Sequence, residues 1–235
     1  VESVIRKAGV TIFTSQTVHR ILGKPGDGSV VGGAVLTNGD QVSCDLVIIA
    51  IGVVPRVELV AGTDVKTNRG IIVDRFMRTS VADVYASGDV AEAYDFIFNE
   101  NRLLALWPLA MWEGRIAGYN MAGKKTDYPG GTSMSALKYF DVPVISVGIA
   151  NPKEDVAYEI LVKHDPEGGV YKKLVLRDDV VVGMIFVNDI ERAGIVFHLM
   201  KNCVNVKKFK QELISENFSL ATLPSRLRKK MGLGS

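Results

Sequence analysis

An α/β fold class, passing into an α+β carboxy-terminal domain, is predicted for this 235-residue chain by three features of its sequence. A short helical pattern gives way at once to strand patterns. The triplet Asn38-Gly39-Asp40 joins two of those strands tightly, because it supplies the positive φ that a short antiparallel connection needs. The run Leu46 to Ile51 is almost wholly apolar, as in a strand covered on both faces. With 47% hydrophobic and 23% charged side chains, the chain can bury a core and has room for more than one domain.

The elements follow in order. "VESVIRKAGV" sets Val1, Val4, Ile5 and Ala8 on one helical face, and Gly9 ends it. Strands are expected at "VTIFTS", "VVGGAVLT" and "QVSCDLVIIAIG", making a three-stranded meander. The Gly-rich "GKPGDGSVVGG" lies between strands, which favours a hairpin loop over a phosphate cradle. "AIGVVPRVELV" leaves the third strand through Gly52, which allows close backbone approach, and Pro55, which turns the chain away from helix. "GIIVDRFMRTS" reads as a strand with a turn. "DVYASGD" reads as a short buried strand, Val84 to Ala86, ending on Gly88 and Asp89 ahead of a helix, whose start Glu92 is placed to favour. "YPGG" at Tyr128 to Gly131 breaks the chain. Beyond it, "KKLVLRD" and "VVVGMIFVND" form a hairpin about Asp178-Asp179. Asp189 then caps a helix with Ile190, Ala193, Phe197 and Met200 on its apolar face.

Composition narrows the functional classes. No apolar run approaches the roughly 18 to 20 residues of a membrane-spanning helix, and the first residues lack a signal-like pattern, so a cytoplasmic protein without a membrane partner is expected. Cys44 and Cys203 are far apart and outside any C-x-x-C. Neither a disulfide framework nor a metal site is indicated, and both are read as small buried residues. Lys201 to Ser235 holds eight Lys/Arg against two Asp/Glu. Its "KKFK" and "RLRKK" lack interleaved aromatics for base stacking, so a solvated helix face is expected rather than a nucleic-acid partner.

The chemistry is expected at "TSVADVYASGDVAEA". A carboxylate at the carboxyl end of a strand, where ligands of α/β sheets bind, can accept hydrogen bonds from sugar hydroxyls. Free amides at the start of a following helix would serve a phosphate or a carbonyl.

Taken with its neighbours, this stretch resembles the FAD-dependent pyridine nucleotide oxidoreductases, in the branch of NADH oxidases, rubredoxin and ferredoxin reductases and nitrite-reductase flavin subunits. Thr79, four residues, Val84, Tyr85, Ala86, any residue, Gly88 and Asp89 look like that family's second flavin-binding motif. "AIGVVP" is similar to its Ala-Thr-Gly motif, with Ile51 in place of Thr. "LWPLAMWEGRIAGYNMAG" resembles the helix under the flavin ring, with Trp107, Pro108, Ala110, Gly114, Arg115, Ala117, Gly118 and Asn120 at matching spacing. "SALKYFDVPVISVG" resembles the opening of the branch's interface domain.

The resemblance implies a partial two-dinucleotide-binding-domain flavoprotein with a sheet-and-helix interface domain. Residues 1–60 would be the second half of the nicotinamide-binding domain, 61–127 the closing segment of the FAD domain, and 128–235 the interface domain. Asp89 would hold the ribitol hydroxyls. Gly52 and Gly88 would allow backbone approach, while Trp107, Pro108 and Ala110 would wall the isoalloxazine. For Trp112 an ordinary core aromatic is expected. FAD and NAD(P)H are implied for the intact protein and neither for this chain alone, because both G-x-G-x-x-G turns are absent. Hydride would pass from NAD(P)H to FAD and onward to oxygen, a disulfide or a small redox protein, with a homodimer formed through the last domain. No residue here is an evident acid, base or nucleophile, so no catalytic residue is assigned. His198 on its apolar helix reads as packed rather than as a base. The rival reading is a non-catalytic interaction module that has lost its cofactors.

Overall fold

The computed structural model describes residues 1–153 and 156–230, so the last five residues of the basic tail lie outside the described residues. The chain divides into two units, Val1–Val54 and Pro55–Ser235. In the first, helix α1 (Glu2–Lys7) carries an Arg6–Glu2 pair one turn apart at 2.8 Å and ends ahead of Gly9, at φ +86°. Strands β1 (Val18–Lys24), β2 (Asp27–Leu36) and β3 (Gln41–Ser43) form an antiparallel meander in that order.

Two strand assignments in this unit need correction. The first strand is Val18–Lys24, whereas Val10 to Ser15 joins no ladder among the described residues. β1 is mostly exposed and chemically unremarkable; it becomes a strand because a two-residue turn at Pro25-Gly26 folds it directly onto β2. The Gly-rich stretch is therefore a hairpin, as expected, and Gly23 faces Gly28 so closely that a Cβ on Gly23 would lie 2.6 Å from the Gly28 Cα. The third strand stops at Ser43. Leu46 to Ile51 is unpaired among the described residues and Ile51 is 92% exposed, since strand propensity is realised only against a neighbouring strand.

The second unit holds two cores. Strands β4 (Ile71–Ile72), β5 (Ala91–Asp95) and β6 (Glu100–Leu103) make a sheet in which β4 runs parallel to β5 and β6 antiparallel to it. Helix α2 (Trp107–Met121) contributes Ile116 and Ala117 to a core with Val73, Met77, Ala91, Ala93 and Tyr128. A five-stranded antiparallel sheet follows, from β7 (Met134–Tyr139), β8 (Val142–Gly148), β9 (Glu159–Asp165), β10 (Val170–Arg177) and β11 (Val180–Val187), in the order β7-β8-β11-β10-β9. The expected β10–β11 hairpin is present, with Asp178 and Asp179 at φ +52° and +59° in its turn. Helix α3 (Ala193–Lys201) lays Val196, Leu199 and Met200 into the core of this sheet, and helix α4 (Ser225–Lys230) ends the described chain. Ile97, from the β5–β6 turn, enters the same core.

Three further expectations are overturned here. Val84 to Ala86 is no strand: Tyr85 makes one isolated bridge to Arg78 and Val84 is exposed. The segment bonds to itself instead, through Thr79 N–H to the Val84 carbonyl (2.9 Å) and Ala86 N–H to the Met77 carbonyl (3.1 Å). No helix follows Asp89, only the single 3-10 turn Gly88–Val90 and then β5. Glu92 accordingly lies within β5, buried, where it accepts the Gly70 N–H at 2.7 Å.

Asp189 does not cap α3, whose N-cap is Arg192. Its carboxylate goes to Lys172 Nζ at 2.6 Å, because that lysine is 1% exposed and a buried ammonium must find a counter-charge. Cys203 is also exposed rather than buried, at the end of α3 with φ +47°.

Candidate functional site

The site grows from the loop between β4 and β5. Asp74 accepts hydrogen bonds from the N–H groups of Phe76 (2.8 Å) and Arg78 (3.0 Å) and from Arg78 Nε (2.8 Å), closing a tight turn. That turn holds Met77, wholly buried, at φ +62°. The bonds between residues 77 and 86 then return the chain to Ser87, Gly88 and Asp89, beside α2. Gly88 sits at φ +77°, and a Cβ there would meet the Ala110 Cβ at 3.4 Å. Both the dihedral and the close approach to the helix call for glycine. Asp89, the next residue, is exposed.

α2 begins without a side-chain cap at Leu106, and Pro108 in its first turn has φ fixed for helix. Two of its faces differ. Ala110 and Gly114 face the turn, with Gly114 near the Ser87 hydroxyl. Trp107, one turn before Ala110, is 80% exposed, so it is not a core aromatic. Trp112 is: half-buried, it packs edge-on against Tyr128 with ring centroids 5.8 Å apart. Pro108 takes a different direction from Ala110. With Leu106, Leu109, Trp112, Phe96 and Phe197 it lines an apolar cavity of about 110 Å³ between α2 and α3.

The structure thus brings Gly88, Asp89 and Ala110 together, puts Trp107 on the same helix one turn away, and turns Pro108 toward the neighbouring cavity. Gly52 belongs to the first unit, at φ +101°, with open space where a Cβ would stand. Asn120, another residue of the helix motif, has a framework task. Its amide donates to the carbonyls of Phe76 (3.1 Å) and Thr126 (2.8 Å) and accepts the Thr126 N–H (2.9 Å).

Sequence reasoning missed Glu113. It is 2% exposed, and its Oε2 accepts the Gly88 N–H at 2.8 Å while Oε1 accepts the Tyr128 hydroxyl at 3.3 Å. Burial pushes its carboxyl up to about 7, against the lowering effect of the Gly88 and Tyr128 bonds and with a further upward push from the Asp89 charge. Burial, then the Glu113 charge, raises the Tyr128 phenol as well. Tyr128 is itself fixed by Arg75, which donates from Nε to the Tyr128 carbonyl (2.6 Å) and accepts the Tyr128 N–H on its own carbonyl (2.7 Å). A signal was available: Leu109, Glu113, Ile116 and Asn120 recur at helical spacing, so the carboxylate falls on the inward stripe.

Small residues at 88, 110 and 114 leave room against the helix, and the exposed Asp89 carboxylate beside them is an acceptor chemically compatible with a polyhydroxyl group such as a flavin's ribitol. Among the described residues, no helix is long and apolar enough to cross a membrane.

Comparisons with known proteins agree in kind. Residues 1–114 match the family model described as pyridine nucleotide-disulphide oxidoreductase, and residues 134–204 match the rubredoxin NAD+ reductase C-terminal domain. The chain is 31% identical over 205 residues to the NADH-dependent phenylglyoxylate dehydrogenase subunit epsilon of Aromatoleum evansii, covering 85% of this chain and 47% of that protein. It is 28% identical over 208 residues to the nitrite reductase [NAD(P)H] of Bacillus subtilis (strain 168), covering 88% of this chain and 24% of the relative. The chain thus spans less than half the length of either relative. Its fold is shared with a NAD-dependent persulfide reductase from A. fulgidus, at a TM-score of 0.77 and 22% identity over 98% of this chain and 47% of that one. Two family models in the expected order, over residues 1–114 and 134–204, place the chain among the pyridine nucleotide-disulphide oxidoreductases, and its mixed α/β fold is common to such reductases.

Proposed function

We propose that this chain is the carboxy-terminal part of an FAD-dependent NAD(P)H oxidoreductase. When bound, FAD supplies the redox chemistry, taking a hydride from NAD(P)H and releasing electrons to an acceptor. The chain's own residues position it. Asp89 accepts hydrogen bonds from the ribitol hydroxyls, Gly88 lets the backbone come close, and Ala110 and Trp107 flank the isoalloxazine. Pro108 fixes the start of the helix that carries them. Gly52 gives the first unit a positive-φ turn at which a dinucleotide can approach the backbone.

The carrying observation is the Gly88-Asp89 turn, held on α2 with its carboxylate exposed beside small helical residues. In this reading residues 1–60 belong to the nicotinamide-binding domain, 61–127 to the FAD domain and 128–235 to the interface domain. The change from the core around Val73 and Met77, which Tyr128 still closes, to that around Leu174 and Phe186 supports a second boundary close to residue 128. The acceptor class is oxygen, a disulfide or a small redox protein, the last favoured by the rubredoxin reductase domain match. Homodimerisation through the last domain is supported by Leu137, Ile160 and Val162, which are exposed on the edge strands β7 and β9.

The test is flavin content. The gene's full product should purify yellow, and Asp89→Ala should lower flavin occupancy while circular dichroism is unchanged. The 235 residues alone should purify colourless and fail to oxidise NADH, because pyrophosphate contacts worth about 1.5–3 kcal/mol each would be missing. Normal flavin content in the Asp89→Ala protein would remove Asp89 from the site. A full-length product that never binds flavin would favour the non-catalytic module. Sedimentation should report a dimer, and a monomer at high concentration would refute that part.

A further inference from the structure

We infer that Glu113 is a positioning residue for the flavin: it sets the geometry of the Ser87–Asp89 turn from inside the protein and couples that turn to Tyr128. The inference rests on the flavin reading above and deepens it. Gly88 and Asp89 lie on a single 3-10 turn without a side-chain cap, at the end of a segment that bonds mainly to itself. Nothing in that local structure would fix where the Asp89 carboxylate stands. Glu113 does so, from the middle of a 15-residue helix, by accepting the Gly88 N–H at 2.8 Å. The contact of Gly88 with Ala110, which would be 3.4 Å from a Cβ, fixes the separation of turn and helix, and the Glu113 bond fixes the rotation of the peptide.

The second oxygen of Glu113 faces the Tyr128 hydroxyl, and Arg75 clamps the Tyr128 backbone. Turn, helix and the chain entering the last domain thus meet on one carboxyl group that is almost wholly buried. The titratable and charged groups that act on it are Asp89 on the turn and Tyr128, while Arg75 and Asp95 at the end of β5, whose own carboxyl burial pushes upward, act on Tyr128 in turn. Glu113 exchanges its proton near neutral pH. The Gly88 bond then changes from neutral to charge-assisted as pH rises.

A first measurement needs no variant. In the 15N-labelled protein the Gly88 amide proton should move downfield as pH rises, with a midpoint of about 7. In Glu113→Gln, which keeps an acceptor for Gly88 but cannot titrate, the resonance should stay flat. Flavin affinity of the full-length product is the second readout. Glu113→Gln should retain it, whereas Glu113→Leu, of similar bulk but without an acceptor, should weaken it by about tenfold or more.

A Gly88 resonance that ignores pH from 5 to 8 in the wild type would overturn the coupling. Unchanged flavin affinity in Glu113→Leu, with Asp89→Ala still losing flavin, would overturn the positioning role and leave the flavin site standing. If neither substitution alters flavin affinity, the flavin reading of this turn falls and the inference falls with it.

Discussion

Glu113→Gln should abolish a pH dependence of stability that the buried carboxyl imposes. Burial raises this group from its ordinary 4.5 to about 7, so between those values the folded chain keeps a proton that the unfolded chain has released. Stability must fall as pH rises wherever the folded state binds more protons. The contribution is fully present below about pH 4.5, is lost progressively, and is gone above about pH 7. At about 1.36 kcal/mol per pH unit, the 2.5-unit interval amounts to roughly 3 kcal/mol.

The assay is built into the chain, since Trp107 and Trp112 are its two tryptophans and both lie on the helix that carries Glu113. Urea unfolding followed by their fluorescence at pH 4.5 to 8 therefore reports the unit in question. Asp95 adds a slope of the same sign, because burial raises it too, but that slope is common to both proteins and cancels in the difference. The wild-type curve should decline toward pH 7 relative to the Glu113→Gln curve. Two curves separated by a constant offset would show that Glu113 titrates near its ordinary value and is not buried as described.

The remaining predictions concern buried charges and their partners. Asp189→Ala should destabilise the carboxy-terminal core by about 3–5 kcal/mol, because it strands the Lys172 ammonium; Lys172→Met in the same protein should restore most of the loss in urea unfolding. A double variant no more stable than Asp189→Ala alone would refute that cause. Glu92→Ala should leave the Gly70 N–H without its acceptor at a cost of about 1–3 kcal/mol, seen as faster hydrogen exchange at Gly70 than in Glu92→Gln. Equal exchange in the two variants would show that the bond does not hold the loop.

What the sequence made legible was what nearest neighbours decide. The Asp178-Asp179 turn and the strands around it could be read because adjacent segments pair with one another, whereas α2 was legible only through its resemblance to the helix under the flavin ring. The Gly88-Asp89 turn was legible through its motif, yet its surroundings were not. The expected helix after Asp89 is instead strand β5, since Ala91 and Glu92 pair with Ile71 and Ile72 some twenty residues earlier. Strand composition misled in the opposite sense at Val10 to Ser15 and Leu46 to Ile51, where apolar, β-branched sequence finds no ladder among the described residues. Asp189 lies three residues before the N-cap of α3, because the helix starts later than its sequence pattern predicts, and its carboxylate serves the buried Lys172 ammonium instead. Glu113 follows the same logic from the other side. Its spacing on α2 already placed a carboxylate among core residues, and a buried carboxylate must find donors. Asking which donors lay within reach leads from the helix to Gly88, and so to the group that holds the turn in place.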